Sequence, residues 1–298
     1  MTQMSEAYKR AMAKSYANQK TTFAINHDRL GKVVEIPLGF QPLGIASRRL
    51  SDNQDEIAIA AYFEPAICLA RIARGHIGLQ FEVEWIRGIH YEDGATIRLF
   101  PDLAAGGANR AQTVNFGWNG CLLVSRNCES RFFIIFPSLH GTPEKWGSWN
   151  HGSFALPVSD GNIIHSALLV NPDAEQPTII TVESGTDLES WSLGRYERIM
   201  NRWQRLEGRR SLPPYVYGIG QNPRDFREES WLVTDYRFEG PPGVMRGTTL
   251  VLPGVYGNGI CFLSDGSALV TRYGHGHPCA FNGVPGALIY IPSELLKP

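Results

Sequence analysis

From Pro42 to the C-terminal end, apolar runs of strand length alternate with short polar breaks. The pattern is clearest late in the chain. There Gly259-Ile-Cys-Phe262 is followed by an Asp265-Gly266 break, Ala268-Leu-Val-Thr271, a polar excursion and Gly286-Ala-Leu-Ile-Tyr-Ile291. The same layout restarts near residues 43, 80, 112, 152 and 215. Asp93-Gly94, Asn119-Gly120, Ser159-Asp-Gly161 and Asp265-Gly266 fall between apolar runs, where such pairs supply the positive φ of tight hairpins.

A recurring unit of about forty residues with three or four short strands predicts a β-propeller. Counted from the starts near 43, 80, 112, 152, 215 and 256, the chain is expected to form six blades. The last unit shows only three strands before Pro292. A strand before Pro42, either Lys32–Ile36 or Thr21–Ile25, is expected to supply the fourth and close the ring. An open β-sandwich of irregular hairpins is the alternative.

The step from 152 to 215 is longer than the others by about half a unit. It holds a segment that reads as a helical insertion over about 186–210. Thr186 and Glu189 have capping-box spacing, and Gly208 before Pro213-Pro214 is a stop. Tyr196, Ile199, Trp203 and Leu206 recur at helical spacing, beside a stripe of Arg195, Arg198, Arg202, Arg205 and Arg209. Such a helix could hold an anionic ligand or dock on an acidic protein partner. Its plain alternative is a solvated face paired to neighbouring acids. Residues 1–20 are polar and read as an N-terminal helical extension, leaving 21–298 as one propeller domain.

The Gly-Ile strand, Asp-Gly turn and Leu-Val-Thr strand of residues 259–271, with Leu232-Val-Thr-Asp235, resemble the six-bladed NHL-repeat, SMP-30/gluconolactonase and soluble sorbosone dehydrogenase propellers. The resemblance is best over the last two units. It implies a small-molecule site at one mouth of the central channel. For the lactonase branch it also implies a divalent ion, calcium or magnesium, held on the axis by carboxylate and amide oxygens. Glu84 (or Glu82), Asn115, Asn222 and Asn258 match those ligand types, with Asp235 as a catalytic carboxylate. The same amides could equally bond strand ends. Arg48 and Gln221 are further polar residues near predicted inner strands.

Asp235 and Arg272 end equivalent strands of adjacent units and are expected to face each other, more as an ion pair between blades than as catalysts. His275 and His277, with Cys279, lie in a Gly/Pro-rich loop. They are candidate acid–base residues, with a zinc-compatible spacing but no fourth ligand nearby. His165, in an apolar run, reads as a satisfied core histidine. The loop 145–152 places Trp146, Trp149 and Asn150 together, a set suited to sugar rings or planar ligands. Arg198, Arg202 and Arg272 complete the candidate ligand contacts.

Composition narrows this picture. The chain has 298 residues, 43% of them hydrophobic, with a formal net charge of -1, which gives no bulk attraction to nucleic acid. The 5 cysteines form no CxxC pair; Cys68, Cys121 and Cys261 read as buried thiols of a reducing, cytoplasmic compartment. No secretory signal, membrane-length apolar run, nucleotide-binding loop or hydrolase elbow is present. The reading is a propeller that binds a small anionic or sugar-like molecule in its axial mouth, as a divalent-metal-dependent, lactonase-like hydrolase. The alternative is a non-catalytic binding or interaction scaffold using the Trp-rich loop or the arginine helix.

Overall fold

In the strand Gln54–Ala61 every residue from Asp55 onward is buried, on both faces. Ile57, Ile59 and Ala61 join one apolar cluster, whereas Ala58 and Ala60 join another. A strand with period-two side chains that reads as one unbroken apolar run must be covered on both sides. Here the cover is a neighbouring sheet on each face, which is the arrangement of a propeller blade.

The structure, a computed structural model, describes residues 21–297 apart from 39, 62–65, 87, 91–95, 99–110, 127–129, 138–145, 148–152, 160, 201, 207, 209, 226–230 and 274–285. The described strands form five sheets. Blade 1 runs outward through Pro42–Ser51, Gln54–Ala61, Ala66–Gly75 and Gly78–Ile86, with Thr21–Asn26 on its outer edge. Blade 2 has Ala111–Phe116, Leu122–Arg126 and Arg131–Pro137. Its outer part is built from Trp146–Gly147, Gly88–His90, Thr96–Arg98 and Ser153–Ala155. Blade 3 has Asn162–Val170, Thr178–Gly185 and Trp191–Ile199, the last pairing with both Arg202–Arg205 and Arg210–Leu212. Blade 4 is Val216–Gly220, Trp231–Thr234, Gly243–Arg246 and Thr249–Pro253. Blade 5 is Gly259–Phe262, Ala268–Arg272, Ala287–Ile291 and, from the other end of the chain, Val34–Pro37.

The five inner strands touch in a closed cycle, each against the next and the last against the first. Five apolar clusters fill the five seams between blades. At the axis the inner strands run so close that glycine is required. A Cβ on Gly44 would lie 2.5 Å from Gln112 O, and one on Gly259 would lie 2.6 Å from Leu43 O. The recurring Gly-Ile pair is therefore a packing device, in which glycine admits the next blade's backbone and isoleucine fills the seam.

Three sequence expectations are corrected. The ring has five blades, not six. The unit read from Gln80 supplies the fourth strand of blade 1, and Ser153–Ala155 pairs with Arg131–Phe133 as an outer strand of blade 2. Hydrophobic counting marks strands but not which sheet each one joins. The helical insertion is not seen either: Trp191–Ile199 pairs with Thr178–Ser184 on one side and Arg202–Arg205 on the other. The helix-like spacing does not mark one face: Tyr196 and Trp203, which lies opposite Arg198, share one side of the sheet, whereas Ile199 falls on the other. Sheet pairing outweighs local helix signals there. Finally, Glu84 lies on the fourth strand out from the axis, opposite Leu69, far from the inner strands. Ring closure from the N-terminal side is as expected, with Val34–Pro37 registered antiparallel against Tyr290–Ala287. Residues 1–20, the expected helical extension, lie outside the described residues.

Candidate functional site

The inner strands run parallel to one another around the axis, so their C-terminal ends meet at one mouth. A cavity of about 590 Å³ opens there, with residues from all five blades in its wall. Blades 2 and 3 give an apolar side, Phe116, Ala167, Leu168 and Leu169. Blades 1, 4 and 5 give a charged side, in which Ser47, Arg48, Arg49 and Arg74 face Gln221, Arg224, Ser264 and Asp265. Asn115, Asp52 and Asp55 also line it.

Most of these polar groups are held in place. Arg48 donates from Nε (2.8 Å) and Nη2 (2.5 Å) to Glu56 Oε2, and its guanidinium carbon lies 4.5 Å from the Phe116 ring centroid. Arg74 pairs with Asp55 and reaches Asp265 Oδ2 at 3.3 Å. Asp55, 1% exposed, also accepts from Ser264 N and Oγ, both at 3.2 Å, which ties blade 1 to blade 5. Burial opposes the charge on Arg74, but the hydrogen bonds and attraction of Asp55 and Asp265 raise its pKa overall. Burial would raise Asp265; the Ser267 hydroxyl and amide, helped by Arg74, outweigh it and hold the carboxyl below its usual range. Arg224 approaches from blade 4 and donates Nε to Ser264 O at 3.1 Å, with Asn222 Oδ1 accepting from Arg224 N at 2.9 Å.

The four expected metal ligands do not converge. Asn115 lies at this mouth but is tied to blade 3 at both ends of its amide, donating Nδ2 to Ala167 O (3.2 Å) and accepting Leu169 N (3.0 Å) at Oδ1. Asn222 caps a turn at the rim. Asn258 precedes the inner strand of blade 5, at the opposite mouth, and Glu84 is on the fourth strand of blade 1. Among the described residues, no group of three or more His, Cys, Asp or Glu side chains is arranged to hold a metal ion. The bland reading of the amides, bonding strand ends, fits Asn115.

At that opposite mouth, Asp235 is 5% exposed and accepts from Arg237 Nε (2.8 Å) and from Asn258 Nδ2 (3.3 Å). Arg237 also donates to Tyr217 OH at 2.9 Å and stacks over Tyr215 at 4.9 Å. The expected Asp235–Arg272 pair does not form, because Arg272 bonds Glu35 of the closing strand and lies over Tyr256. Asn258 bridges to Asp235 here instead, beside the Gly257 N to Thr234 O bond at 2.9 Å. His165 is the core histidine anticipated, with Nε2 2.7 Å from Ser184 Oγ and its ring stacked on Trp191 at 4.4 Å.

The expected arginine stripe is divided over a hairpin. Arg198 lies over Trp118, Arg205 pairs with Glu183 at 3.1 Å, and Arg202 is exposed opposite Ile199. Trp146 begins a two-residue strand pairing with Phe136-Pro137. Trp149, Asn150, His275 and His277 lie outside the described residues, as does Cys279. Cys68, Cys121 and Cys261 are buried, as anticipated.

Sequence reasoning named Arg48, Asn115, Gln221 and Asn222 at the mouth but missed Ser47, Arg49, Arg74, Arg224, Ser264 and Asp265. Their common signal is position, since most lie within a few residues of the end of an inner strand.

No protein-family model and no curated protein sequence matches the chain. Among solved structures it is similar to virginiamycin B lyase from Staphylococcus aureus, at 14% identity over 80% of this chain and 67% of that one, TM-score 0.36. It is also similar to a luciferin-regenerating enzyme, at 9% identity over 88% and 95%, TM-score 0.47. A third is the alpha-L-arabinofuranosidase Arb93A from Fusarium graminearum, at 11% identity over 86% and 95%, TM-score 0.41. Likenesses this distant carry no argument about activity, and the propeller assignment rests on the five sheets themselves. Among the described residues no helix is long and apolar enough to cross a membrane.

Proposed function

We propose that this propeller binds a small molecule in the axial mouth formed by the C-terminal ends of its inner strands. The observation that supports this is the cavity of about 590 Å³ with an apolar wall and convergent polar groups. Small-molecule sites are typically concave, of roughly 300–1,000 Å³, with a few placed polar groups on an apolar lining. The divalent-ion, lactonase-like version of this reading lacks a converging ligand set, since Glu84 and Asn258 are remote from the mouth. The arginine helix of the scaffold alternative is replaced by strands.

The test is a fragment panel screened by ligand-observed NMR against the full chain and two plugged variants. Ala46→Trp fills the wall of the mouth, and Gln221→Trp, at an exposed rim position, does so with less risk to folding. Fragments that bind the parent and are lost in both plugged, folded variants support the reading. Fragments that bind all three equally rule it out.

A further inference from the structure

The polar groups of the mouth are unevenly satisfied. Asp55 Oδ2 already accepts Arg74 Nη2, Ser264 N and Ser264 Oγ. Asp265 accepts Ser267 N (2.9 Å) and Oγ (2.5 Å) at Oδ1 and Arg74 Nε at Oδ2. These carboxylates are close to full. The arginines are not. Arg74 Nη1 is buried, with no hydrogen-bond partner among the described residues. Arg224 commits its Nε, leaving both terminal nitrogens without a described partner. A guanidinium carries five N–H donors and no acceptor, so the mouth presents surplus donors.

The two arginines converge on one turn. From blade 1, Arg74 bonds Asp265; from blade 4, Arg224 bonds the preceding residue, Ser264. A Cβ on Gly266 would lie 3.1 Å from Arg224 Cδ, so that side chain lies against the turn. Across the cavity, Ala167, Leu168 and Leu169 offer apolar surface, beside the Phe116 ring that Arg48 covers. Surplus donors on one wall and hydrocarbon on the other describe a ligand with an acceptor-rich head and an apolar body. Asp52, Asp55 and Asp265 lie in the same wall, and their charge disfavours a doubly charged head such as a phosphate monoester.

We infer that the mouth takes a small amphipathic monocarboxylic acid, its carboxylate on Arg224 and Arg74 and its apolar body against Leu168 and its neighbours Ala167 and Leu169. This rests on the axial-mouth reading above and adds the ligand class.

Calorimetric titration of the full chain with octanoate and 4-phenylbutyrate, their primary amides, and phenyl phosphate tests it. The acids should bind at least about tenfold tighter than the amides, since a hydrogen bond to a charged group contributes that much or more. Arg224→Gln, at an exposed position, should weaken the acids about tenfold or more and leave the amides unchanged. Arg224→Lys should recover part of the loss, because it restores charge without the fork. Amides binding as tightly as acids, phenyl phosphate binding tighter than either acid, no acid binding at all, or an Arg224→Gln variant with parental affinity would each overturn the inference. Amide binding that Ala46→Trp abolishes, without acid preference, removes the acid class and keeps the mouth. Acid binding that both plugged variants leave intact removes the mouth itself.

Discussion

Gly194 lies directly against the carboxylate of Glu183: a Cβ at residue 194 would stand 2.0 Å from Glu183 Oε1 and 2.6 Å from Thr181 Oγ1. Glu183 is fully buried. Its oxygens accept from Thr181 Oγ1 (2.6 Å), Tyr196 OH (2.5 Å), Asn162 Nδ2 (3.3 Å) and Arg205 Nη2 (3.1 Å), so the carboxylate has nowhere to move. The absent side chain at 194 is what lets blade 3 bury this carboxylate on its second strand, paired to Arg205 of the outer strand.

Gly194→Ala should therefore destabilise the protein by about 1–3 kcal/mol, the usual cost of overpacking a filled interior. Differential scanning calorimetry should show a midpoint lower by several degrees. Adding Glu183→Asp withdraws the carboxylate from the new methyl, so the two changes should cost less together than their sum. A Gly194→Ala midpoint equal to the parent's would mean the carboxylate is not fixed there.

Asn115 gives a second prediction, on the seam between blades 2 and 3. Its truncation orphans both Ala167 O and Leu169 N, which are bonded by the one amide. An unsatisfied buried group costs about 1–3 kcal/mol, so Asn115→Ala should lower the urea midpoint by a matching amount. Asn115→Asp keeps the acceptor for Leu169 N but faces Ala167 O with a carboxylate, and should also be destabilising. An unshifted midpoint in both variants would show that the amide does not staple the blades.

Strand positions were legible in the sequence because each blade buries both faces, leaving unbroken apolar runs between Gly- and Asp-rich turns. Gly120, Gly161 and Gly266 adopt the positive φ that the turn motifs demand. Blade number was not legible. Assigning Gly78–Ile86 to blade 1 depends on pairing with Ala66–Gly75, a contact that strand patterning does not encode. Residues 191–205 misled for a related reason, since apolar side chains on both faces of a hairpin fall by chance at helical intervals. The site was legible only in part. Arg48 and Gln221 stood out as polar residues beside apolar strands, but Asp265 read as a turn residue because its side chain does cap that turn. Arg74, on the third strand of blade 1, enters the mouth only because Asp55 and Asp265 draw it across the seam between blades 1 and 5.

That seam also depends on Val34–Pro37, whose register against Ala287–Tyr290 completes blade 5. Val34 is 8% exposed and belongs to the apolar cluster that joins blades 5 and 1. Val34→Asp should cost at least about 2 kcal/mol by burying a carboxylate without a partner. Deleting residues 1–37 should cost more, since it exposes the edge of Ala287–Ile291 for pairing with other chains. Thermal melts with light scattering would show a lower, aggregation-coupled transition for the deletion. Full retention of the midpoint would rule out ring closure by that strand.

His165 makes stability depend on pH. Burial, with the nearby Arg237 charge adding to it, pulls its pKa from 6.5 down to about 3. The unfolded chain then takes up a proton that the folded chain refuses. The stability held by neutral His165 is thus complete above pH 6.5, declines as pH falls below that value, and is lost by about 3. Replacing it with Phe keeps an aromatic ring against Trp191, 4.4 Å away, while removing the titration and the bond to Ser184. At pH 7 the variant should be the less stable, by about 1 kcal/mol for the lost hydrogen bond. Between pH 7 and pH 5 the parent should lose roughly 2 kcal/mol more than the variant, at about 1.4 kcal/mol for each pH unit below the unfolded pKa. Denaturant midpoints measured at both pH values report this difference, and parallel losses in the two proteins would show that His165 titrates normally in the fold.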